Sequence, residues 1–249
     1  MNERQIHDLE TVRPYNDSEN KGSQIERMFD TIAPAYDRMN RLMTLGLDLR
    51  WRRKALKMLA AYRPRTVLDV ACGTGDLSLL IHKIVKPEKI TGIDLSDGML
   101  EVARRKRDEA GLQECIAFER QDCLALTFPD ASCDAVTVAF GVRNFQQLRQ
   151  GISEMYRVLR RGGVLMIIEL STPVRFPFDR LYRFYAGSVI PCLGRLFTQD
   201  KQAYTYLPRS IEMVPQREEM TDILREAGFG KTRYIPFTFG VCTVYIGEK

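Results

Sequence analysis

Apolar positions along the chain change their period three times. Between residues 51 and 62, Trp51, Ala55, Met58 and Tyr62 recur at steps of four, three and four, which lays one apolar face along a helix. Asp48 stands where a cap for that helix would sit. Upstream, Ser23-x-x-Glu26 has capping-box spacing and predicts a short helix to about Asp30. Residues 1–22 are polar, carry neither period and read as a flexible tail. From Thr66 the pattern becomes short β-branched runs alternating with helical ones. Strands are predicted at 66–72, 89–96, 116–121, 133–140 and 164–170. Between them lie helices over 76–85 and from Asp97 to Gly111. A third carries Leu148, Ile152, Met155 and Leu159 on one face and runs to Gly162-Gly163. Each parallel crossover needs a helix to return the chain, so this alternation predicts an α/β, doubly wound sheet.

Residues 172–214 fit neither period and read as an insert. Pro215 then opens a helix with Met220, Ile223, Leu224 and Ala227 on one face, closed by Gly228. Two final strands, 231–237 and 240–246, lie too close together for a crossover and must pair antiparallel. The organisation expected is one domain over 23–249.

Composition narrows this further. Hydrophobic residues make up 45% and charged residues 28%, which excludes collagen-like, low-complexity and wholly disordered chains. No apolar run exceeds five residues, as at 164–168, where a spanning helix needs about 20. Six cysteines contain no C-x-x-C pair and there are only two histidines, so no zinc cluster is expected and no metal is assigned. The opening MNERQIHDLE has no apolar leader segment, and scattered thiols fit a reducing compartment; a cytoplasmic protein is expected. Net charge is +5, with local excesses at Arg50, Arg52, Arg53 and Lys54 and again at Arg104–Arg107. Both read as solvated helix faces, with attraction to an anionic surface as the alternative.

The chemistry concentrates after the first strand. Asp69-x-x-Cys72-Gly73-Thr74-Gly75 runs into a helix starting at Asp76. Glycines there let backbone approach a ligand at the carboxyl edge of the sheet. Asp94 ends the second strand nineteen residues after Gly75, where a carboxylate can accept both ribose hydroxyls. A dinucleotide fingerprint would need a third glycine, but Ser78 stands there, and Asp76 at the helix start disfavours a phosphate. A cationic sulfonium ligand suffers neither objection, and Asp69 points toward the amino group of its amino-acid end. S-adenosylmethionine is therefore favoured over NAD. Asp122 and Cys123, at the end of the third strand, suit the adenine amino group and a ring nitrogen, although Asp122 is also placed to cap a turn.

The block VLDVACGTGDLSLL with GIDLS resembles the Rossmann-type S-adenosylmethionine-dependent methyltransferases. MFDTIAPAYDRMNRLMTLGLDLRWRRK and FPDASCDAVTVAFGVRNF are similar to the quinone C-methyltransferases of menaquinone and ubiquinone biosynthesis. The likeness continues through EMYRVLRRGGVLMIIELSTP, YLPRSI and EAGF and covers about residues 25–247. It implies a seven-stranded sheet with an antiparallel last strand and cofactor contacts at Thr74, Asp94, Asp122 and Cys123. It also implies that residues 23–62, with Tyr36 and Asp37, form a lid. Tyr36 then reaches the cofactor carboxylate or packs in the core. Ala139 stands where many members carry serine, so only a backbone contact is expected there.

The implied reaction moves a methyl group to a ring carbon of a reduced naphthoquinone carrying a polyprenyl tail, with a benzoquinol as the alternative. Arg143, just after the fourth strand, is the candidate for stabilising the developing quinolate; a structural ion pair is the competing role. Asn144 would bond the quinol or hold Arg143. In 178–189, Phe178, Leu181, Tyr182, Tyr185 and Val189 share one helical face, with Asp179, Arg180 and Arg183 opposite. That face is expected to meet a membrane surface, the protein's own core or a second subunit of a homodimer. Rival classes are weaker. A base N-methyltransferase loop would need Pro-Pro after the fourth strand, and Pro191-Cys192 supplies a C5-type nucleophile only in the wrong place. No nucleic-acid partner is expected.

Overall fold

In the computed structural model, residues 9–15, 17–189 and 201–249 are described, the side chains of 201–205 excepted. Ahead of the sheet lie α1 (Lys21–Ile32), α2 (Tyr36–Met43) and α3 (Leu47–Leu59). Then follow β1 (Thr66–Val70), α4 (Asp76–Ile84), β2 (Lys89–Asp94), α5 (Asp97–Glu109), β3 (Ile116–Arg120), β4 (Cys133–Ala139), α6 (Leu148–Val158) and β5 (Leu159–Leu170). The chain closes with α7 (Phe178–Phe184), α8 (Lys201–Met213), α9 (Glu218–Glu226), β6 (Lys231–Phe237) and β7 (Cys242–Glu248). The seven strands lie in the order β3-β2-β1-β4-β5-β7-β6. β7 runs antiparallel to both of its neighbours, and the β1–β5 pairs are parallel.

Alternation along the strands explains why both faces of the sheet are covered. Leu165 and Ile167 of β5, with Val136 and Val138 of β4, face α6 and α9; Val164, Met166 and Ile168 face α3 and α4. Trp51, Ala55, Leu56 and Leu59 supply the inner face of α3, all buried. Truncating Leu56 to alanine would cost about 2–5 kcal/mol in lost burial and cavity. Strand order reverses between β1 and β4, and there the carboxyl ends of neighbouring strands splay into a crevice. No helix among the described residues is long and apolar enough to cross a membrane.

Several expectations need correction. Residues 9–22 are not a free tail: Leu9 is fully buried in the core, and the Lys21 ammonium donates to the carbonyls of Leu9 (2.7 Å) and Arg143 (3.3 Å). Asn20, not Ser23, caps α1; its side chain accepts the Ser23 N–H at 2.9 Å, so the helix starts earlier and runs longer than predicted. Gly46, in the left-handed region, occupies the cap of α3, and Asp48 lies inside the helix. α6 ends at Val158 because Leu159 already pairs with Cys133 as strand. Pro215 precedes α9, whose cap is Arg217. The 172–214 insert holds α7 and α8, with a π-helical turn at Tyr185–Val189 that breaks the α-helical spacing before Val189. Pro191 and Cys192 lie outside the described residues.

In the two basic runs Arg50, Arg53, Lys54 and Arg105 are exposed as expected of solvated faces, and one residue in each departs from that. Arg52 is buried, and Lys106 turns inward to two carboxylates. α1, α2 and the insert share a small core of their own, with Ile25, Met28, Met39, Met43, Ala186 and Tyr206 packed together.

Candidate functional site

The crevice at the β1/β4 reversal holds three connected spaces. The first is a cleft of about 830 Å³ lined by Gly73, Asp94, Asp122, Cys123 and Asn144, among others. β1 delivers the chain to Gly73, whose φ of +54° is left-handed, and a Cβ built there would meet nothing within 4 Å. The space beside the turn is thus open to a ligand. Asp94 ends β2; one carboxylate oxygen accepts the Gly73 N–H at 2.8 Å and the other accepts the Ser96 N–H at 3.0 Å. Burial raises the Asp94 carboxyl above its ordinary value, and these backbone donors pull it back. Asp122 does hold a turn, accepting the Leu124 N–H at 2.9 Å, while also lining the cleft. Burial pushes the Cys123 thiol far up, so it stays neutral.

The second space, about 330 Å³, lies behind the glycine turn. Asp69 borders it from β1, fully buried, with the Ser78 hydroxyl donating at 2.6 Å and the Thr137 hydroxyl at 2.8 Å. Ser78, which the sequence presents as a missing third glycine, is the partner that keeps this carboxylate in place. Burial lifts Asp69 to about 6, against the pull of those two hydroxyls. Gly75 caps α4 in the left-handed region; a Cβ there would lie 2.8 Å from the Phe118 ring. Thr74 borders this space rather than the first, and its hydroxyl donates to Asp37 of α2 at 2.6 Å. Lys106 of α5 joins Asp37 and Asp76, each at 2.5 Å, and Arg41 stands 3.7 Å from Asp76. The Asp76 charge is therefore answered within the protein, which weakens the argument from repulsion alone. Together these contacts latch α2 over the glycine turn.

The third space is a chamber of about 1220 Å³, mostly apolar, walled by α2, α3, α7 and the turn after β6. Phe178, Leu181, Tyr182 and Tyr185 line it; Val189 does not. Phe178 stacks on Phe239 with ring centres 3.8 Å apart. Arg143 lines the chamber too, on the short turn Val142–Asn144, and is only 6% exposed. Its Nη1 donates to Glu169 Oε1 at 2.8 Å and to the Phe140 carbonyl. Both competing roles thus meet in one residue: the ion pair exists, yet Nε is buried without a hydrogen-bond partner. Burial works against the Arg143 charge, but Glu169, with Tyr36 and Tyr206 nearby, more than offsets it and holds the guanidinium above its ordinary value. Asn144 faces the first cleft and accepts the Tyr206 hydroxyl at 3.2 Å.

Tyr36 borders all three spaces, and Phe140 stands beside it between cleft and chamber. Burial raises the Tyr36 phenol, so it remains a hydrogen-bond donor, and its ring packs edge-on against Phe29 at 5.8 Å. Ala139 lines the cleft and the small space. Glu169 and Lys106 are not among the site residues the sequence points to, and Asp37 is there only as part of the lid, without its partners. A lone acid at the end of the buried VLMIIEL run was the available signal for Glu169, because such a charge demands a partner. The other two depend on contacts across 37 and 69 residues.

A model of the ubiE/COQ5 methyltransferase family matches residues 17–249. A demethylmenaquinone methyltransferase of Bacteroides fragilis is 47% identical, over 96% of this chain and 98% of its own. One from Porphyromonas gingivalis is 48% identical, over 96% and 98%. The ubiquinone/menaquinone biosynthesis C-methyltransferase UbiE of Geobacter sulfurreducens is 44% identical, over 92% and 90%. Among solved structures, a SAM-dependent methyltransferase from Aquifex aeolicus has a TM-score of 0.54 at 21% identity, over 74% of this chain and 81% of that one. The [4+2]-cyclase SpnF scores 0.56 at 18% identity, over 91% and 95%. Those two likenesses speak to the fold alone, since one scaffold carries both chemistries.

Proposed function

We propose that this chain, which belongs to the ubiE/COQ5 methyltransferase family, transfers a methyl group from S-adenosylmethionine to a ring carbon of reduced demethylmenaquinone. The observation that carries the reading is the meeting of an acid-lined cleft and an apolar chamber at Tyr36 and Phe140. The residues present fit the cofactor: open space beside Gly73, a carboxylate at the end of β2, and buried acids where a cationic group would lie. Asp94 would hold the ribose, and Asp122 with the Cys123 backbone the adenine. Asp69, Gly73, Thr74 and Gly75 would surround the amino-acid end, under Tyr36. When bound, S-adenosylmethionine supplies an electrophilic methyl group on its sulfonium.

A ring carbon becomes nucleophilic only when a neighbouring hydroxyl loses its proton. Arg143 would stabilise that developing oxyanion; its Nη1 bond to Glu169 and its position in the chamber wall support the reading. Phe140 and Tyr36, which line both spaces, would hold the ring at the junction and exclude water there. Asn144 positions the turn through Tyr206.

Leu45, Val174, Phe176, Leu181, Phe184 and Phe239 form an exposed apolar group around the chamber and insert, with exposed Arg175, Arg180 and Arg183 among them. Such a rim suits docking on an anionic lipid surface on the inner face of the cell membrane, from which a polyprenyl tail passes into the chamber. The test is transfer of labelled methyl to demethylmenaquinol in detergent micelles, with a polyprenyl benzoquinol and tRNA alongside. Label in the naphthoquinol is expected; label only in tRNA would overturn the reading.

A further inference from the structure

A second buried arginine has no task in this scheme. Arg52 belongs to α3 and is 7% exposed, yet it borders both the small space behind the glycine turn and the apolar chamber. Its Nη1 donates to Asp48 Oδ2 at 2.6 Å, and the Thr44 hydroxyl donates to Asp48 Oδ1 at 2.9 Å. The guanidinium carbon lies 5.1 Å from the centre of the Phe140 ring. One edge is therefore fixed, while Nε is buried with no hydrogen-bond partner among the described residues. A dry, unanswered donor on a charged group is costly to maintain unless something arrives to accept from it.

The small space says what that is. Its described lining contains two carboxylates, Asp69 and Asp76, the Thr74 hydroxyl and one cation, Arg52. An α-amino acid end carries both charges and needs both kinds of partner within one confined volume. The acids answer the ammonium; among the described lining the guanidinium is the positive charge that answers the carboxylate, with the Tyr36 phenol beside it as a neutral donor. We propose that Arg52 is the receptor for the α-carboxylate of the cofactor's methionyl group, with Nε donating to it and Asp48 holding the opposite edge. This rests on the S-adenosylmethionine reading of the site and assigns within it a binding residue on α3, outside every motif that announces the cofactor.

Isothermal titration of the full chain separates the two. S-adenosylhomocysteine is compared with 5′-S-(3-aminopropyl)thioadenosine, which keeps the nucleoside and the amine and lacks only the carboxylate. The wild type is expected to prefer the carboxylate form by about tenfold or more, the scale of a desolvated charge pair. Arg52→Met should erase that preference while binding the decarboxylated form within about threefold of wild type, the residual expected where no paired charge is lost. Arg52→Lys should restore part of it. Arg52→Met strands Asp48 in the interior, so the same measurement on Arg52→Met with Asp48→Asn covers the case in which the single variant does not fold. A preference that survives in either methionine variant, or none in the wild type, would overturn the assignment. Absence of binding by either nucleoside to the wild type would overturn the cofactor reading and this inference with it.

Discussion

The floor of the cleft beside β1–β3 takes its shape from backbone. Gly73 turns in the left-handed region, and Asp94 is pinned by two main-chain N–H groups. The chamber under α2 is the opposite case. Its walls are side chains from the neighbouring helices α2 and α3, the turn after β4, the insert and the corner before β7, drawn from Tyr36 to Val241. A backbone-built cleft tolerates change everywhere except at a few glycines and carboxylates. A side-chain-built chamber spreads its tolerance and can be reshaped for a different ring or tail. That division separates a constant methyl donor from a variable acceptor.

If it is right, variants should sort cleanly by which ligand they disturb. Arg143→Met is expected to slow methyl transfer about 100- to 1000-fold, as loss of an oxyanion donor does, while the Kd for S-adenosylhomocysteine changes by less than about threefold. Equal loss of both, by kinetics and calorimetry, would merge the two regions. Because removing one side of the buried pair with Glu169 costs about 3–5 kcal/mol, a thermal melt belongs with the assay.

Asp94→Asn should do the reverse, weakening S-adenosylhomocysteine about 10- to 100-fold and leaving the KM for quinol near wild type. Asp69 sharpens the comparison through pH. Its folded value near 6 lies above the ordinary 3.8, so the fold holds its proton more tightly than the unfolded chain does. Its contribution to stability is therefore present below about pH 4 and lost as pH rises through about 6. An ammonium group beside it favours the ionised form. Affinity for S-adenosylhomocysteine should fall about tenfold between pH 7 and pH 5, and Asp69→Asn should flatten that profile. The smallest effect is expected at the rim. Phe176→Ser with Phe184→Ser should raise the KM for long-tailed quinol in anionic vesicles several-fold and leave a short-tailed quinol in solution unchanged. A change with both acceptors would place these residues in the chamber's function rather than at a lipid surface.

The same division governs what was legible in the chain itself. Strand and helix order, the antiparallel end of the sheet and the glycine turn followed from local periodicity and spacing, because those features are satisfied by near neighbours. Arg52 and Lys106 were read as solvated basic faces, since a run of cations on a helix carries no mark of which one turns inward. Helix boundaries slipped at Asn20, Gly46 and Val158 for a related reason. Several side chains were chemically able to cap, and tertiary pairing such as Leu159 with Cys133 chose among them. Arg143 was found, but its anchoring to Glu169 across 26 residues was not.

Lys21 gives this geometry a practical edge. Its ammonium spans the carbonyls of Leu9 and Arg143, and burial lowers its pKa to about 7. That contact ties the leading segment to the turn that carries Arg143. Trimming or tethering residues 9–20, by a protease nick or an affinity handle, is expected to disturb that turn from a distance. Such preparations would show intact cofactor binding alongside depressed turnover, and would be mistaken for partly inactive enzyme.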